Sequence, residues 1–332
     1  MPKKVCLATI QPWMGGRSTE CNPFSKKFSR KALDNFIEEK VQNSLHLFEE
    51  AGKECVDVVC GSEDMKRVSW YNLKLDQPEL FLSLAEPIPG PLTERIAKIA
   101  KKYEMYILPC FFEKENDKIY NTAVVIDRRG RIVGKYRKVH LPPEEDWQVT
   151  PENDFPVFET DFGKIGFMIC WDIMFPEVAT ILALKGADVL FNPTAGFGWT
   201  EILGEATAMT RANDNHVFIV ISKHAVKLRP GRSMIVNRYG QIIADAGYKM
   251  DTFVSAEVDI KEVKHSTYEP GEKISGIPDL KAMMTLKRRP ETYHLITSKN
   301  PPLLSKYSRF KLATSLKEKK EVFEKMKREW EK

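Results

Sequence analysis

KIGFMICWDIMFPEVATILALKGADVLFNPT, Lys164–Thr194, changes period twice, and that change decides the class of fold. "KIGFMIC" is a short apolar run of strand length. "FPEVATILALKGA" opens on Pro176 and an acidic residue, carries apolar residues at helical spacing and closes at Gly186. "DVLFNPT" is apolar and strand-like again. Helices set between strands argue for an α/β protein. The first run also ends on a thiol, Cys170, where the strand gives way to the helix. A free cysteine is among the most buried residue types, so the bland reading of Cys170 is a packed thiol. The other reading is a nucleophile held at the end of a strand.

Outward from this stretch the same alternation continues. "KVCLATIQ", "CVDVVC", "MYILPCFFE", "HVFIVISKHA" and "TFVSAEVDI" read as strands. "FSRKALDNFIEEKVQNSLHLFEEAG", "LTERIAKIAKKYE" and "EILGEATAMTRANDN" read as helices. "NTAVVID" and "RIVGKYRK" flank "RRG", and "RSMIVNRYG" and "QIIADAG" meet at another glycine, which predicts two hairpins. Tight hairpins among helix-linked strands imply mixed sheets. The expected architecture is a four-layer α-β-β-α sandwich, with two mixed β-sheets inside and helices on their outer faces. Past about residue 262 the chain turns basic and loop-rich, as in "EPGEKISGIPDLK" and "SKNPPLLSK". A last helix places Leu316, Phe323, Met326 and Trp330 along one stripe.

Composition narrows the function. The 332 residues are 42% hydrophobic and 29% charged, with a net charge of +5. That balance suits a soluble globular protein and does not argue for a nucleic-acid partner. No stretch approaches the roughly 20 apolar residues of a membrane span. No secretory signal precedes the first strand, so the expectation is a cytoplasmic protein whose six cysteines are reduced. Cysteine and histidine spacing fits no metal site, and there is neither a phosphate-binding lysine loop nor a GxGxxG motif. No cofactor or metal is expected.

In open α/β sheets, reactive groups gather past the carboxyl ends of strands. Glu63 and Asp64 follow "CVDVVC". Lys138, His140, Glu144, Glu145 and Asp146 follow "RIVGKY", and Cys170 caps "KIGFMI". A carboxylate, an ammonium and a thiol form a workable set for nucleophilic catalysis. Spacing alone cannot bring them together, and each has a plain structural alternative. Glu63 could neighbour a helix cap, "KYRK" could be a solvated basic face, His140 could be packed, and "PPEED" could be an exposed turn.

Several segments, in order, resemble the nitrilase superfamily of carbon–nitrogen hydrolases from about Lys4 to Tyr293. These are "VCLATIQP", "DVVCGSE", "PIPGP", "YNTAVVIDRRGRIVGKYRKVHLP", "GKIGFMICWDIMFPE", "NPTA", "RANDN" and "LKRRPE". The resemblance implies a Glu–Lys–Cys triad at Glu63, Lys138 and Cys170. It also implies a second glutamate at Glu145, with Glu144 its competitor. Trp171, Asn192 and Thr194 carry over as oxyanion- or substrate-binding positions. Where the family usually has a bulky residue and proline before the first glutamate, this chain has Cys60-Gly61-Ser62, which predicts a looser backbone and a smaller pocket wall. "TPEND" likewise stands where "TPG" is usual.

The activity implied is hydrolysis of a non-peptide C–N bond of a small amide or N-carbamoyl compound through a cysteine thioester, releasing ammonia or an amine. "CWDIMFPE" is closer to the amidase and carbamoylase branches than to nitrile-cleaving members. The alternatives are a nitrilase and a non-catalytic binding or assembly member. The expected organisation is a hydrolase domain over 1–290 and a C-terminal arm with an amphipathic helix over 291–332. The protein is expected to be a homodimer or higher homo-oligomer.

Overall fold

Each change of period becomes a change of secondary structure. The computed structural model of the chain describes residues 4–196, 201–226, 231–261, 276–277, 279–307 and 312–330. β1 (Lys4–Gln11) leads to α1 (Arg30–Lys53), β2 (Val58–Cys60), α2 (Pro78–Leu84) and α3 (Pro91–Tyr103). β3 (Tyr106–Leu108), β4 (Cys110–Glu115), β5 (Lys118–Ile126) and β6 (Ile132–Arg137) follow. Then come β7 (Val157–Glu159), β8 (Lys164–Phe167), α4 (Pro176–Leu184), β9 (Val189–Thr194), α5 (Glu201–Asn215) and β10 (Phe218–Lys223). β11 (Met234–Val236), β12 (Ile242–Asp245) and β13 (Thr252–Asp259) complete the strands.

In the first sheet β13, β1, β2, β3 and β5 are successive neighbours, and β5 also pairs with β4 and β6. The second runs β12-β11-β10-β9-β8-β7. Both are mixed. β1, β2 and β3 are mutually parallel, as are β8, β9 and β10, and the other pairs are antiparallel.

Alternation along the strands builds the layers, because successive side chains point to opposite faces. Val5 and Leu7 of β1, with Val58 of β2, face Phe167, Phe191 and Val220 of the second sheet. Their neighbours Ala8, Ile10 and Val59 turn outward onto Leu33, Phe36 and Phe48 of α1 and Ile96 of α3. In the second sheet Leu190 and Ile219 turn outward onto Val178 and Leu182 of α4 and Ala208 and Ala212 of α5. The result is the expected α-β-β-α sandwich.

Two readings needed correction. "MYILPCFFE" is two strands, not one, because Pro109 has no N–H to give a ladder. β3 and β4 nevertheless pair with the same edge of β5 in one register, Ile107 opposite Ile126 and Cys110 opposite Ala123, and between them the Pro109 carbonyl accepts the Val124 N–H at 2.9 Å, while β6 takes the other edge of β5. The three-residue β7 and the seven-residue α2 were too short to stand out as periods.

The β5–β6 hairpin closes around Gly130, whose φ of +75° suits glycine. The Asp127 carboxylate accepts the N–H groups of Arg129 and Arg131 inside that turn. Past β6, the Lys138 N–H donates to the Asn121 carbonyl at 2.9 Å, so the ladder's register extends to Lys138.

The chain divides into two compact units, Met1–Glu262 and Val263–Lys332. The second contains α6 (Leu280–Leu286) and α7 (Leu316–Trp330). On α7 Phe323 is buried and Met326 half-buried, while the side chains of Leu316 and Trp330 lie outside those described. Most of "EPGEKISGIPDLK" also lies outside the described residues. Among the described residues no helix is long and apolar enough to cross a membrane.

Candidate active site

The strand directions assemble the site. β2 is parallel to β3, β5 runs against β3, and β6 runs against β5. β2 and β6 therefore point the same way, and the residues just past their carboxyl ends share one edge of the sheet. Glu63 lies past β2 and Lys138 past β6. Across the interior, Cys170 follows β8 and Ala195 follows β9. All four line one cavity of about 940 Å³.

At its floor a buried polar network is fully interlocked. Glu63 Oε1 accepts from Lys138 Nζ at 3.0 Å and from Asn121 Nδ2 at 2.8 Å, and Oε2 accepts from the Ala195 N–H at 2.8 Å. Glu145 takes the other side of the same two donors, with Lys138 Nζ at 2.6 Å and Asn121 Nδ2 at 2.6 Å. Lys138 and Asn121 are each 1% exposed, so these bonds face no competition from water.

Glu145 and not Glu144 enters this network. Glu144 is exposed and offers only its carbonyl, to the Asn72 amide. Asn72 Oδ1 in turn accepts the Gln148 N–H at 2.9 Å, which clamps the Glu145 loop to the segment after Glu63.

The charges follow from burial and pairing. Burial opposes ionisation of Glu63, but the Lys138 ammonium and three hydrogen bonds outweigh it and hold the carboxyl below its usual range. Burial acts on Glu145 with less relief and adds to repulsion from Glu63, so its pKa is pushed up to about 7. Burial also pulls Lys138 down, yet the two carboxylates and the thiol leave it well above an ordinary lysine. Ionised Glu63, protonated Lys138 and a titrating Glu145 are the neutral-pH state.

Cys170 sits at the strand-to-helix elbow with φ of +48°, a conformation non-glycine residues adopt rarely and mostly at functional positions. Burial, then the negative charge of Glu63, push its thiol up to about 12, against the pull of Lys138 and a hydrogen bond with Thr194. The resting sulfur is therefore a neutral thiol beside an ionised base.

The elbow is staked from below. Asp172 accepts the Ile169 N–H at 2.9 Å, the Tyr136 hydroxyl at 2.6 Å and the His140 N–H at 3.0 Å. His140 Nδ1 lies 2.9 Å from the same carboxylate, and its ring stacks on Phe175 at 4.0 Å. One buried aspartate thus ties the cysteine's turn to the strand that presents Lys138.

Of the other positions considered, Trp171 lines the cavity. Asn192 and Thr194 stand behind the elbow, outside the cavity's lining among the described residues. Asn192 donates to the carbonyls of Met168 and Cys170, and Thr194 meets the cysteine sulfur. The looser backbone expected at Cys60-Gly61-Ser62 is not found. The Gly61 N–H is bonded to the Leu108 carbonyl at 2.9 Å, and a β-carbon there would lie 3.1 Å from Phe48. Glycine is what lets this segment pack closely. Asn121, Tyr136 and Asp172 went unassigned in the sequence. Their signal was polarity inside otherwise apolar strands and turns.

The profile of the carbon–nitrogen hydrolase family matches residues 34–268. An N-carbamoylputrescine amidase of Solanum lycopersicum is 34% identical over 236 residues, 63% of this chain and 79% of that protein. An omega-amidase of Xenopus tropicalis is 34% identical over 201 residues, 54% of this chain and 71% of that protein. Among solved structures, Nit3 of Saccharomyces cerevisiae, described as a member of branch 10 of the nitrilase superfamily, superposes with a TM-score of 0.63 at 25% identity. That likeness covers 84% of this chain and 96% of Nit3. A mutant amidase from Nesterenkonia sp. AN1, with the acetamide moiety of fluoroacetamide added to its active-site cysteine, has the same fold at a TM-score of 0.55 and 18% identity. It covers 77% of this chain and 90% of that one.

Proposed function

Because this chain belongs to the carbon–nitrogen hydrolase family, we propose that it cleaves the C–N bond of a small linear amide or N-carbamoyl compound through a thioester on Cys170. The observation that carries this reading is the interlocked Glu63–Lys138–Glu145–Asn121 network in one cavity with the elbow thiol. The two relatives named above act, by their names, on a carbamoylated amine and on a terminal amide, so both amide and carbamoyl carbonyls are in scope.

The chemistry follows from the charges. The sulfur attacks the carbonyl carbon while Glu63 takes its proton. A thiol at about 12 beside a low carboxyl cannot give up that proton in advance, so transfer accompanies C–S bond formation. The carbonyl oxygen becomes an oxyanion, stabilised by the Lys138 ammonium and the Trp171 N–H just past the elbow. Glu63 then protonates the nitrogen, the C–N bond breaks, and ammonia or an amine leaves. Water next attacks the thioester with Glu63 as base. The acid forms, the C–S bond breaks, and the sulfur recovers its proton. Glu145 orients the amide and holds Lys138. Asn192 and Thr194 fix the elbow.

The test is release of ammonia across a panel of amides, N-carbamoyl compounds and nitriles, with Cys170→Ala as the blank. Turnover of amides or carbamoyl compounds, abolished in the blank, is expected. Turnover confined to nitriles, or unaffected by the substitution, would overturn the reading.

A further inference from the structure

The cavity extends well beyond the triad, and its outer wall comes from the loop after β1. β1 is parallel to β2, so this loop leaves the sheet at the same edge as Glu63. It contributes Trp13 and Arg17 to the lining. Arg67 and Trp70, from the segment after Glu63, stand beside them. Residues 13–17 precede the 34–268 stretch that the family profile matches, while Arg67 and Trp70 lie within it, and none of the four belongs to the Glu63–Lys138–Glu145–Asn121 network.

Arg17 is a half-buried cation with no carboxylate within ion-pair distance among the described residues. Its guanidinium lies over the Trp70 ring at 5.1 Å, Phe36 at 5.6 Å and Tyr71 at 5.7 Å. One N–H group donates to the Arg67 carbonyl at 2.5 Å. Asp64, the acid whose charge reaches it, has its carboxylate oxygens committed to the Val68 and Ser69 N–H groups at 2.9 and 2.7 Å. Burial accordingly draws the Arg17 pKa down. Three rings surround the guanidinium at cation–π distance, and the hydrogen bond to the Arg67 carbonyl leaves further donors of the fork available. Such a fork matches a carboxylate's geometry, and in a low-dielectric wall the pairing is strong. Glu144, the lining acid outside the catalytic network and this turn, is exposed and solvated.

We propose that Arg17, held beside Arg67, is a specificity-determining residue that pairs with a carboxylate at the end of the substrate remote from the scissile carbonyl. The substrates are then monoamides of dicarboxylic acids or N-carbamoyl amino acids, not amides ending in an ammonium. This inference rests on the hydrolytic reading above. A single planar fork suits a planar carboxylate better than a phosphate dianion, which calls for more donors.

The experiment compares near-isosteric pairs. Succinamic acid against succinamide, and glutaramic acid against glutaramide, differ only in a carboxylate for a neutral amide. An N-carbamoyl amino acid against an N-carbamoyl diamine tests the other source of the same group. The acid members should be favoured about 10- to 100-fold in kcat/KM, the worth of charge-assisted hydrogen bonding. Arg17→Gln should erase that preference by raising KM for the acid members much more than for the neutral diamides, and Arg17→Lys should restore part of it. Calorimetric binding of the same compounds to Cys170→Ala protein reads recognition without turnover. A carboxylate preference in binding with no hydrolysis of any panel member would sink the hydrolytic reading and spare Arg17. Hydrolysis with no carboxylate preference, or equal loss on acids and neutral amides in Arg17→Gln, would overturn this inference alone.

Discussion

Asn121→Ala tests how the site is held together. The amide has two N–H donors, and both are spent: one on Glu63 at 2.8 Å, the other on Glu145 at 2.6 Å. Glu63 keeps two further partners after the substitution, Lys138 and the Ala195 N–H, whereas Glu145 keeps only Lys138. A buried hydrogen bond to a charged group is worth about 1.5–3 kcal/mol, so losing two costs roughly 3–6 kcal/mol at most, and less if water enters the space. Glu63 should stay within reach of the thiol but lose its fixed orientation. A displacement near 1 Å costs about 100-fold, so kcat should fall roughly 10- to 100-fold, with KM little changed.

The Asn121 bonds lower both carboxyl pKa values, so their loss should move any titration of Glu145 upward from about 7. Asn121→Asp is the sharper variant. It keeps the shape, removes both donors and puts a third carboxylate around one ammonium. At pH 7 it should be less stable and less active than the alanine variant, and acid should recover part of its stability by adding a proton to the cluster. Urea unfolding and pH–rate profiles read both effects. Wild-type activity in Asn121→Ala, or an aspartate variant equal to wild type at pH 7, would refute this account of the network.

Cys170→Ala should abolish turnover without loss of fold, checked by circular dichroism and ammonia release. Thiolate absorbance near 240 nm, taken as wild type minus Cys170→Ala, should show no step below about pH 9 in the free enzyme, since burial and Glu63 raise the thiol. Because the folded pKa of Glu145 lies above its unfolded value, its contribution to stability is present below about 4.5 and is lost as pH rises through about 7. The unfolding midpoint of wild type relative to Glu145→Gln should therefore decline between pH 5 and 8. Glu145→Gln should damage activity far more than Glu144→Gln, whose side chain is solvated. The protein is expected to be a homodimer or larger, and light scattering on wild type and on protein lacking residues 305–332 measures whether α7 takes part.

Period and polarity exposed the layers because the central strands divide their faces between two cores, as Val58 and Val59 do. At Pro109 the apolar run continues and so does the register against β5, but the missing N–H interrupts the strand between β3 and β4. The triad could be named only through the family likeness, since the sequence separations between Glu63, Lys138 and Cys170 close only when β2 and β6 point the same way and the second sheet faces them. Asn121 stayed hidden for a related reason. Within "KIYNTAVVI" it is one polar residue in a strand, and its importance depends on the β5–β6 register that sets Lys138 beside it. Arg17 is hidden most deeply. Its aromatic partners are separated from it in sequence, and the lack of a carboxylate beside it is a property of the folded surface. Residues whose role comes from their own periodicity can be read from sequence, whereas those defined by what the fold places around them cannot. The shared catalytic groups are recognisable through the family, but the chain's own choice of substrate must be sought in the cavity wall around Arg17, away from the triad.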